Sequence, residues 1–189
     1  ELITLKIQNF RQFYGEQEIH FSTDSDQNVT VIHGSNGSGK TTLLNAFTWL
    51  LYENISLPRA DKLVSERALA EVGSGGSVSV SASLEFEHEE TVYEVTRVKE
   101  FRKREGVSAV EQSSEMRLEY TDEHGNLKTR SNPSNMLNQI MPERLKDIFF
   151  FDGETIDELS AIEGQGKIQE AIRNIMGLSI LERSKRHLG

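Results

Sequence analysis

Eight residues in the first quarter of the chain have the types and the spacing of a phosphate-binding loop. The segment Gly34–Thr41 reads GSNGSGKT and matches the pattern G-x-x-x-x-G-K-[ST]. In such a loop the glycines let successive backbone N–H groups point inward as an anion nest, and the following helix adds partial positive charge at its start. The sequence therefore predicts a site for the phosphates of a nucleotide.

The side chains of this loop have separate expected roles. Lys40 is expected to reach the β- and γ-phosphates, and the hydroxyl of Thr41 to ligate Mg²⁺. The hydroxyl of Thr42 is placed to donate to the α-phosphate. The residues predicted to bind the nucleotide are Gly34, Ser35, Asn36, Gly37, Ser38, Gly39, Lys40, Thr41 and Thr42.

The elements around the loop follow from hydrophobic periodicity within residues 1–53. LITLKIQNF and EQEIHFS alternate apolar and polar residues on either side of a Tyr14-Gly15 turn, which predicts a β-hairpin. NVTVIHG is β-branched and leads into the loop, so we expect a third, central strand there. After the loop, Leu43, Phe47 and Leu50 recur at helical spacing and predict a helix.

The remainder of the chain divides into four further segments. Residues 54–76 look irregular, and residues 77–131 alternate as three or four strands of an antiparallel meander. The pattern becomes helical from Pro133, and Phe149–Phe151 is then expected to form a buried strand leading into Asp152 within a segment spanning 132–166. Residues 167–189 are amphipathic at helical spacing.

Composition narrows the class of protein. With 189 residues, 36% hydrophobic and 27% charged, the chain fits one folded globular domain. A formal net charge of −9 argues against a surface that binds phosphate backbones over its whole area. Cysteine is absent, which excludes disulfides and thiolate metal sites. No apolar run approaches the ~20 residues that span a bilayer, so we expect a cytoplasmic location and no membrane partner.

Two other classes of phosphate-loop protein share some of these features. The segment Asp122–Gly125 reads DEHG and matches the D-x-x-G motif of small GTPases, but it lies between alternating strands, where Asp and Gly favour a hairpin turn. No N-K-x-D motif for reading guanine is present. A nucleoside or metabolite kinase usually carries the loop on its first strand, whereas a hairpin precedes it here. Neither class accounts for the whole pattern.

Four segments together resemble a known group of ATPases. They are a first strand ending in QNFRQF, the loop GSNGSGKTTLLNAF, the meander, and the apolar run into DGETID. In these features the chain is similar to the N-terminal half of an ABC-type ATPase head of the SMC-like group, which includes the double-strand-break repair ATPases, RecN and RecF. FFFDGE resembles most closely the DndD family, the ATPases of DNA sulfur modification (phosphorothioation).

The resemblance implies an α/β P-loop NTPase fold in which 1–189 forms the N-terminal lobe of an ABC/SMC-type head. That lobe has a mixed sheet, an antiparallel meander, a Q-loop-like region over 132–166, and a helix over 167–189 that leads to a coiled coil. In the Q-loop position Asp152 replaces a glutamine and would face Mg²⁺ and the attacking water. Arg11 matches an arginine that lies near the nucleotide or DNA. Lys40 and Asp152 are thus the implied catalytic residues, and Thr41 and Asp152 the implied metal ligands.

The resemblance also implies a function and partners. The cofactors would be ATP and Mg²⁺, and hydrolysis would require a second head in a homodimer and a C-terminal lobe that supplies the Walker B acid. The assembled protein would act on DNA with other DNA-modification proteins. Two alternatives stay open, namely an SMC-like repair or anti-phage ATPase head, and a non-hydrolysing nucleotide-gated interaction module. By this resemblance the chain alone carries an incomplete active site.

Overall fold

The structure is a computed structural model, and it describes residues 1–55, 57, 60–106, 108–122 and 124–150, without the side chains of residues 147 and 148. The chain forms two compact units, Glu1–Ile140 and Met141–Gly189. The first unit contains the phosphate-binding loop. The predicted extent of the lobe over 1–189 and the helix over 167–189 stay predictions, because residues 151–189 lie outside the described part.

A single six-stranded sheet dominates the first unit. Its strands are β1 Leu2–Phe10, β2 Phe13–His20, β3 Ser77–His88, β4 Thr91–Lys103, β5 Ala109–Thr121 and β6 Leu127–Thr129. They lie in the order β2-β1-β3-β4-β5-β6, and every neighbouring pair is antiparallel. The hairpin and the meander predicted from alternation are therefore confirmed, whereas the mixed sheet is not found in the described residues.

The helices are short, and the last two belong to the second unit. The longest is α1 Lys40–Tyr52, which confirms the helix predicted after the loop. The others are a 3₁₀ helix Ala60–Leu63, α2 Glu66–Glu71, α3 Pro133–Ile140, a 3₁₀ helix Glu143–Leu145 and α4 Lys146–Phe149. The helical character expected from Pro133 onward is thus confirmed through α3.

The core lies between one face of the sheet and helix α1. Alternation along β3 buries Val80, Ala82 and Leu84 completely, and their polar neighbours point the other way. From the helix, Trp49 contributes a fully buried ring whose centroid lies 5.3 Å from that of Phe10 on β1. Burying these side chains fixes α1, and hence the loop at its start, relative to β1 and β3.

The predicted strand over NVTVIHG is wrong. Residues 28–34 form no strand, and Val29, Val31 and Ile32 are 75%, 66% and 44% exposed. A β-branched sequence favours extended backbone, but a strand also needs a neighbour for its N–H and C=O groups. Among the described residues no strand pairs with this segment, which connects the hairpin to the loop without regular secondary structure.

Residues 54–76 are less irregular than expected. The segment contains the short helix α2 and the 3₁₀ helix before it, and Leu63, Val64 and Leu69 from this region are buried. Ser65 donates its backbone N–H to the carbonyl of Asn9, 2.8 Å away. These contacts fasten the segment against the end of β1.

The predicted strand at Phe149–Phe151 is also contradicted where it can be seen. Phe149 ends helix α4 with its side chain 51% exposed, and the N–H of Phe150 donates to the carbonyl of Lys146 at 2.7 Å. A short apolar run fits a helix or a strand equally well by periodicity, so flanking structure decides between them. The third residue of the run and Asp152 lie outside the described residues.

Candidate nucleotide-phosphate site

The backbone of the loop has the conformation that its glycines allow. Gly37 and Gly39 have φ of +80° and +108°, values that residues with a side chain rarely adopt. At Gly34 a Cβ would collide with the side chain of Ser38. The N–H of Ser38 donates to the carbonyl of Ser35 at 3.2 Å and closes the turn. The loop is thus a compact turn that depends on glycine at three positions.

The loop ends at the positive pole of helix α1. Gly39 is the N-cap, and within the described residues no side chain caps the helix start and no acidic residue occupies its first turn. The first N–H groups of a helix have no partner inside the helix, and they carry the positive end of its dipole. An anion therefore has both donors and a favourable field at Lys40 and Thr41.

Lys40 extends across the loop. Its ammonium donates to the carbonyl oxygens of Gly34 at 2.7 Å and Ser35 at 2.9 Å, and the residue is exposed. The positive charge therefore lies over the opening framed by the loop backbone. Phosphate oxygens would be stronger acceptors than these carbonyls because they are charged.

The two threonines after the lysine have different surroundings. Thr41 is exposed, and its role as a metal ligand stays a prediction. Thr42 is 4% exposed, and its hydroxyl donates to the side-chain carbonyl of Gln12 at 2.8 Å. Gln12 lies in the turn between β1 and β2, far away in sequence, and no sequence pattern marks it as part of the site.

The turn that carries Gln12 also packs on the loop glycine. A Cβ on Gly39 would lie 2.8 Å from Nε2 of Gln12 and 2.8 Å from Cζ of Phe13. The start of α1 is therefore in close contact with the turn between β1 and β2, and Gly39 is needed both for its backbone conformation and for this approach.

Arg11 lies beside this contact without touching the loop in any observed bond. Its backbone has φ of +53°, and its N–H donates to the carbonyl of Leu63 at 2.8 Å. With Gln12 and Lys62, Arg11 lines an open cavity of about 470 Å³. Its predicted role near a nucleotide or DNA stays a prediction.

The metal site is described only in part. Within residues 1–150, apart from the gaps named above, no cluster of three or more His, Asp or Glu side chains could hold a metal ion. Thr41 supplies one hydroxyl oxygen, and Asp152, the other predicted ligand, lies outside the described residues. The loop, the helix start and Lys40 together fit a polyphosphate.

Comparison with known proteins supports this assignment. Residues 4–186 match the model of the AAA domain family AAA_23. The chain belongs to this AAA domain family. The SbcC component of the nuclease SbcCD from Staphylococcus aureus strains JH9 and Newman is 32% identical to this AAA-family chain over 93 residues, which are 49% of the chain and 9% of the relative. The aligned part of the chain spans less than a tenth of the length of those relatives.

Family membership agrees with the site geometry and with the architecture. The antiparallel sheet with few helices fits a P-loop NTPase-like α/β fold, and an AAA domain implies use of a nucleotide. The alternative GTPase motif is a hairpin turn, as predicted, because a carboxylate oxygen of Asp122 accepts the N–H groups of His124 and Asn126 at 3.0 and 2.8 Å. No helix of the described part is long and apolar enough to cross a membrane.

Proposed function

We propose that the chain is the ATP-binding lobe of an ABC-type, SMC-like ATPase head. The observation that carries this proposal is the glycine-dependent turn before α1 with the ammonium of Lys40 held across it. The AAA family match and the similarity to SbcC, part of a nuclease, support the same class.

In this proposal the residues of the chain bind and orient the triphosphate. Lys40 exchanges its two carbonyl acceptors for β- and γ-phosphate oxygens. The N–H groups at the start of α1 donate hydrogen bonds to the anion. Thr41 ligates Mg²⁺ through its hydroxyl, and Asp152 is proposed as the second protein ligand and as the group that orients the attacking water. When bound, Mg²⁺ would supply positive charge next to the transferred phosphoryl group.

The exposed segment before the loop supports a partner lobe. Val29, Val31 and Ile32 present β-branched side chains at 75%, 66% and 44% exposure, and their backbone pairs with no other described segment. A β-branched segment whose backbone has no strand partner is suited to strand addition. We propose that a C-terminal lobe of the same protein covers it, supplies the Walker B acid, and makes hydrolysis depend on engagement of a second head.

The subtype is the most specific part of the proposal. FFFDGE in the sequence favours an ATPase of DNA sulfur modification, with DNA and other DNA-modification proteins as partners of the assembled complex. The relatives are named as parts of a nuclease, which supports action on DNA more broadly. We also propose that residues 167–189 form a helix that leads to a coiled coil. A cytoplasmic location is proposed as well, in keeping with the absence of cysteine from all 189 residues.

Nucleotide binding by the chain tests the proposal directly. MgATP at 100 times its Kd would stabilise the chain by about 2.7 kcal/mol, and a thermal shift measures this against Lys40→Ala. Lys128→Ala is the matched control, because Lys128 is an exposed lysine on β6 that pairs with Asp122 at 3.7 Å. We expect a shift in the wild type and the control, none in Lys40→Ala, and negligible hydrolysis by the chain alone. No shift in the wild type would contradict the proposal.

Separating hydrolysis from binding requires the assembled protein. Asp152→Asn there should keep MgATP binding while abolishing turnover if Asp152 acts on the metal and water. Unchanged turnover would remove Asp152 from the site, and absence of turnover in the wild type would favour the non-hydrolysing interaction module.

A further inference from the structure

The turn between β1 and β2 is held rigidly next to the loop. Phe10, the last residue of β1, is fully buried against Trp49, and Arg11 donates its N–H to Leu63. On the other side of the turn, the hydroxyl of Tyr14 donates to a carboxylate oxygen of Glu71. Contacts on both sides of the turn therefore anchor the backbone of Gln12 next to the loop.

Gln12 meets the loop through both ends of its carboxamide. Its oxygen accepts the hydroxyl hydrogen of Thr42 at 2.8 Å, and its Nε2 lies against the α-carbon face of Gly39. The side chain of Thr42 is buried, whereas Gln12 is exposed. A ligand at the helix start would thus meet Gln12 and the hydroxyl of Thr42 together.

Gln12 and a bound phosphate would compete for the hydroxyl hydrogen of Thr42. A threonine hydroxyl has one hydrogen to donate and two lone pairs that accept. While that hydrogen points at Gln12, it is not available to a phosphate oxygen. A carboxamide, however, presents an acceptor at one edge and a donor at the other, so rotation about the Cγ–Cδ bond of Gln12 reverses its role toward Thr42.

We infer that Gln12 is a positioning residue of the phosphate site that acts through Thr42. When the α-phosphate is bound, the Gln12 amide turns so that Nε2–H donates to the hydroxyl oxygen of Thr42, and the hydroxyl hydrogen donates to the phosphate. This inference rests on the proposed function, since it assigns the set of groups that hold the α-phosphate of the same nucleotide.

The competing explanation is that Gln12 stabilises the fold and has no role in ligand binding. It predicts that loss of Gln12 lowers stability in the absence of nucleotide and leaves the affinity for MgATP unchanged. The positioning role predicts an effect on nucleotide affinity that requires this hydroxyl. A double-mutant cycle separates the two, because the residues are in direct contact.

The experiment measures MgATP affinity by calorimetric titration of the 189-residue chain. Gln12→Met keeps the length of the side chain and removes both hydrogen-bonding edges, and we expect a loss of affinity of about fivefold, the equivalent of one neutral hydrogen bond. In a Thr42→Val background, Gln12→Met should lower the affinity for MgATP by less than about twofold. In a Thr42→Ser background, which keeps the hydroxyl, the loss should return to about fivefold.

Gln17→Met is the matched control. Gln17 is an exposed glutamine on β2 of the same hairpin, with its amide bonded to the carbonyl of Tyr14 at 3.2 Å, and its replacement should leave affinity unchanged. Equal losses for Gln12→Met in the valine and serine backgrounds, or no loss in the wild-type background, would overturn the positioning role alone. Failure of the wild-type chain to bind MgATP would overturn the proposed function and this inference with it.

Discussion

The guanidinium of Arg97 donates to a carboxylate oxygen of Glu53 at 3.1 Å, and this contact joins strand β4 to the last turn of α1. Arg97 is 6% exposed and also donates to the carbonyl of Leu50 at 3.0 Å. Burial lowers the pKa of Arg97, while the charge of Glu53 opposes that shift. The helix that begins at the phosphate-binding loop is thus anchored at its far end by a buried charge.

Glu53 is the centre of a small ionic network. Lys99, also on β4, lies 2.6 Å from Glu53 and 3.1 Å from Glu111. Burial lowers the pKa of Lys99, but hydrogen bonds to Glu53 and Glu111 outweigh it and raise the pKa above its ordinary value. Glu53 also has φ of +55°, at the end of the helix, where its N–H donates to Trp49. The network therefore forms where the helix terminates.

Glu53→Ala should lower the free energy of unfolding by about 1–2 kcal/mol, because it leaves Arg97 buried without its carboxylate partner. The value is below that of a fully buried pair, since the side chain of Glu53 is 47% exposed. Urea denaturation measures the change. Glu18→Ala is the control, because it removes an exposed ion pair with Lys6. It should lower the free energy of unfolding by less than about 0.5 kcal/mol. Equal effects of the two variants would contradict a special role for the Arg97 contact.

Stability should depend on the ionisation of Glu53 at acid pH. A hydrogen bond from Lys99, aided by the charges of Lys99 and Arg97, holds the pKa of Glu53 below its ordinary value of 4.5 despite partial burial. A group with a depressed folded-state pKa stabilises the fold above its unfolded pKa, and that contribution disappears as pH falls through the folded pKa.

Urea denaturation of the wild type and of Glu53→Gln at a series of pH values tests this pH dependence. The quantity compared is the free energy of unfolding. The difference between the two proteins should be constant at neutral pH and shrink progressively as pH falls below 4.5. A difference that stays constant throughout the acid range would show that the charge of Glu53 does not stabilise the fold.

Much of the sheet was predictable because alternation is a local signal. Leu5 and Ile7 are buried and Lys6 and Gln8 are exposed, as period-two patterning requires for a half-buried strand. The same alternation places Arg97 on the inward face of β4. Its contact with Glu53 at the end of α1 could not be predicted, because the approach of helix and strand depends on packing between distant segments.

The predictions that failed depend on partners or on ambiguous periodicity. Val29 and Val31 have strand-forming side chains, but no described segment supplies the hydrogen bonds of a strand. Phe149 belongs to an apolar run whose sequence fits a helix as well as a strand. Gln12 joins the site through the tertiary contact between the hairpin turn and Thr42, which leaves no pattern in the sequence.

Two glycines of the loop should respond differently to alanine. At Gly37, with φ of +80°, an added Cβ meets no heavy atom within 4 Å, so Gly37→Ala should cost only the backbone strain of about 1–2 kcal/mol. At Gly39, with φ of +108°, the Cβ would also collide with Gln12 and Phe13 at 2.8 Å. Gly39→Ala should therefore destabilise the chain more than Gly37→Ala and abolish MgATP binding. Urea denaturation and calorimetric titration measure the two effects, and equal stability of both variants would contradict the close approach of the turn.

A charge placed on the exposed segment before the loop should affect assembly and leave folding intact. Val31→Lys alters a side chain that is 66% exposed, so the free energy of unfolding of the chain should change by less than about 0.5 kcal/mol. Val80→Lys, at a fully buried position of β3, is the contrasting variant and should unfold the chain. In the protein that contains the proposed C-terminal lobe, Val31→Lys should weaken association of that lobe, measured by co-purification of the separately expressed lobes, because burying the new ammonium opposes strand addition. Unimpaired association would show that this segment is not where the second lobe docks.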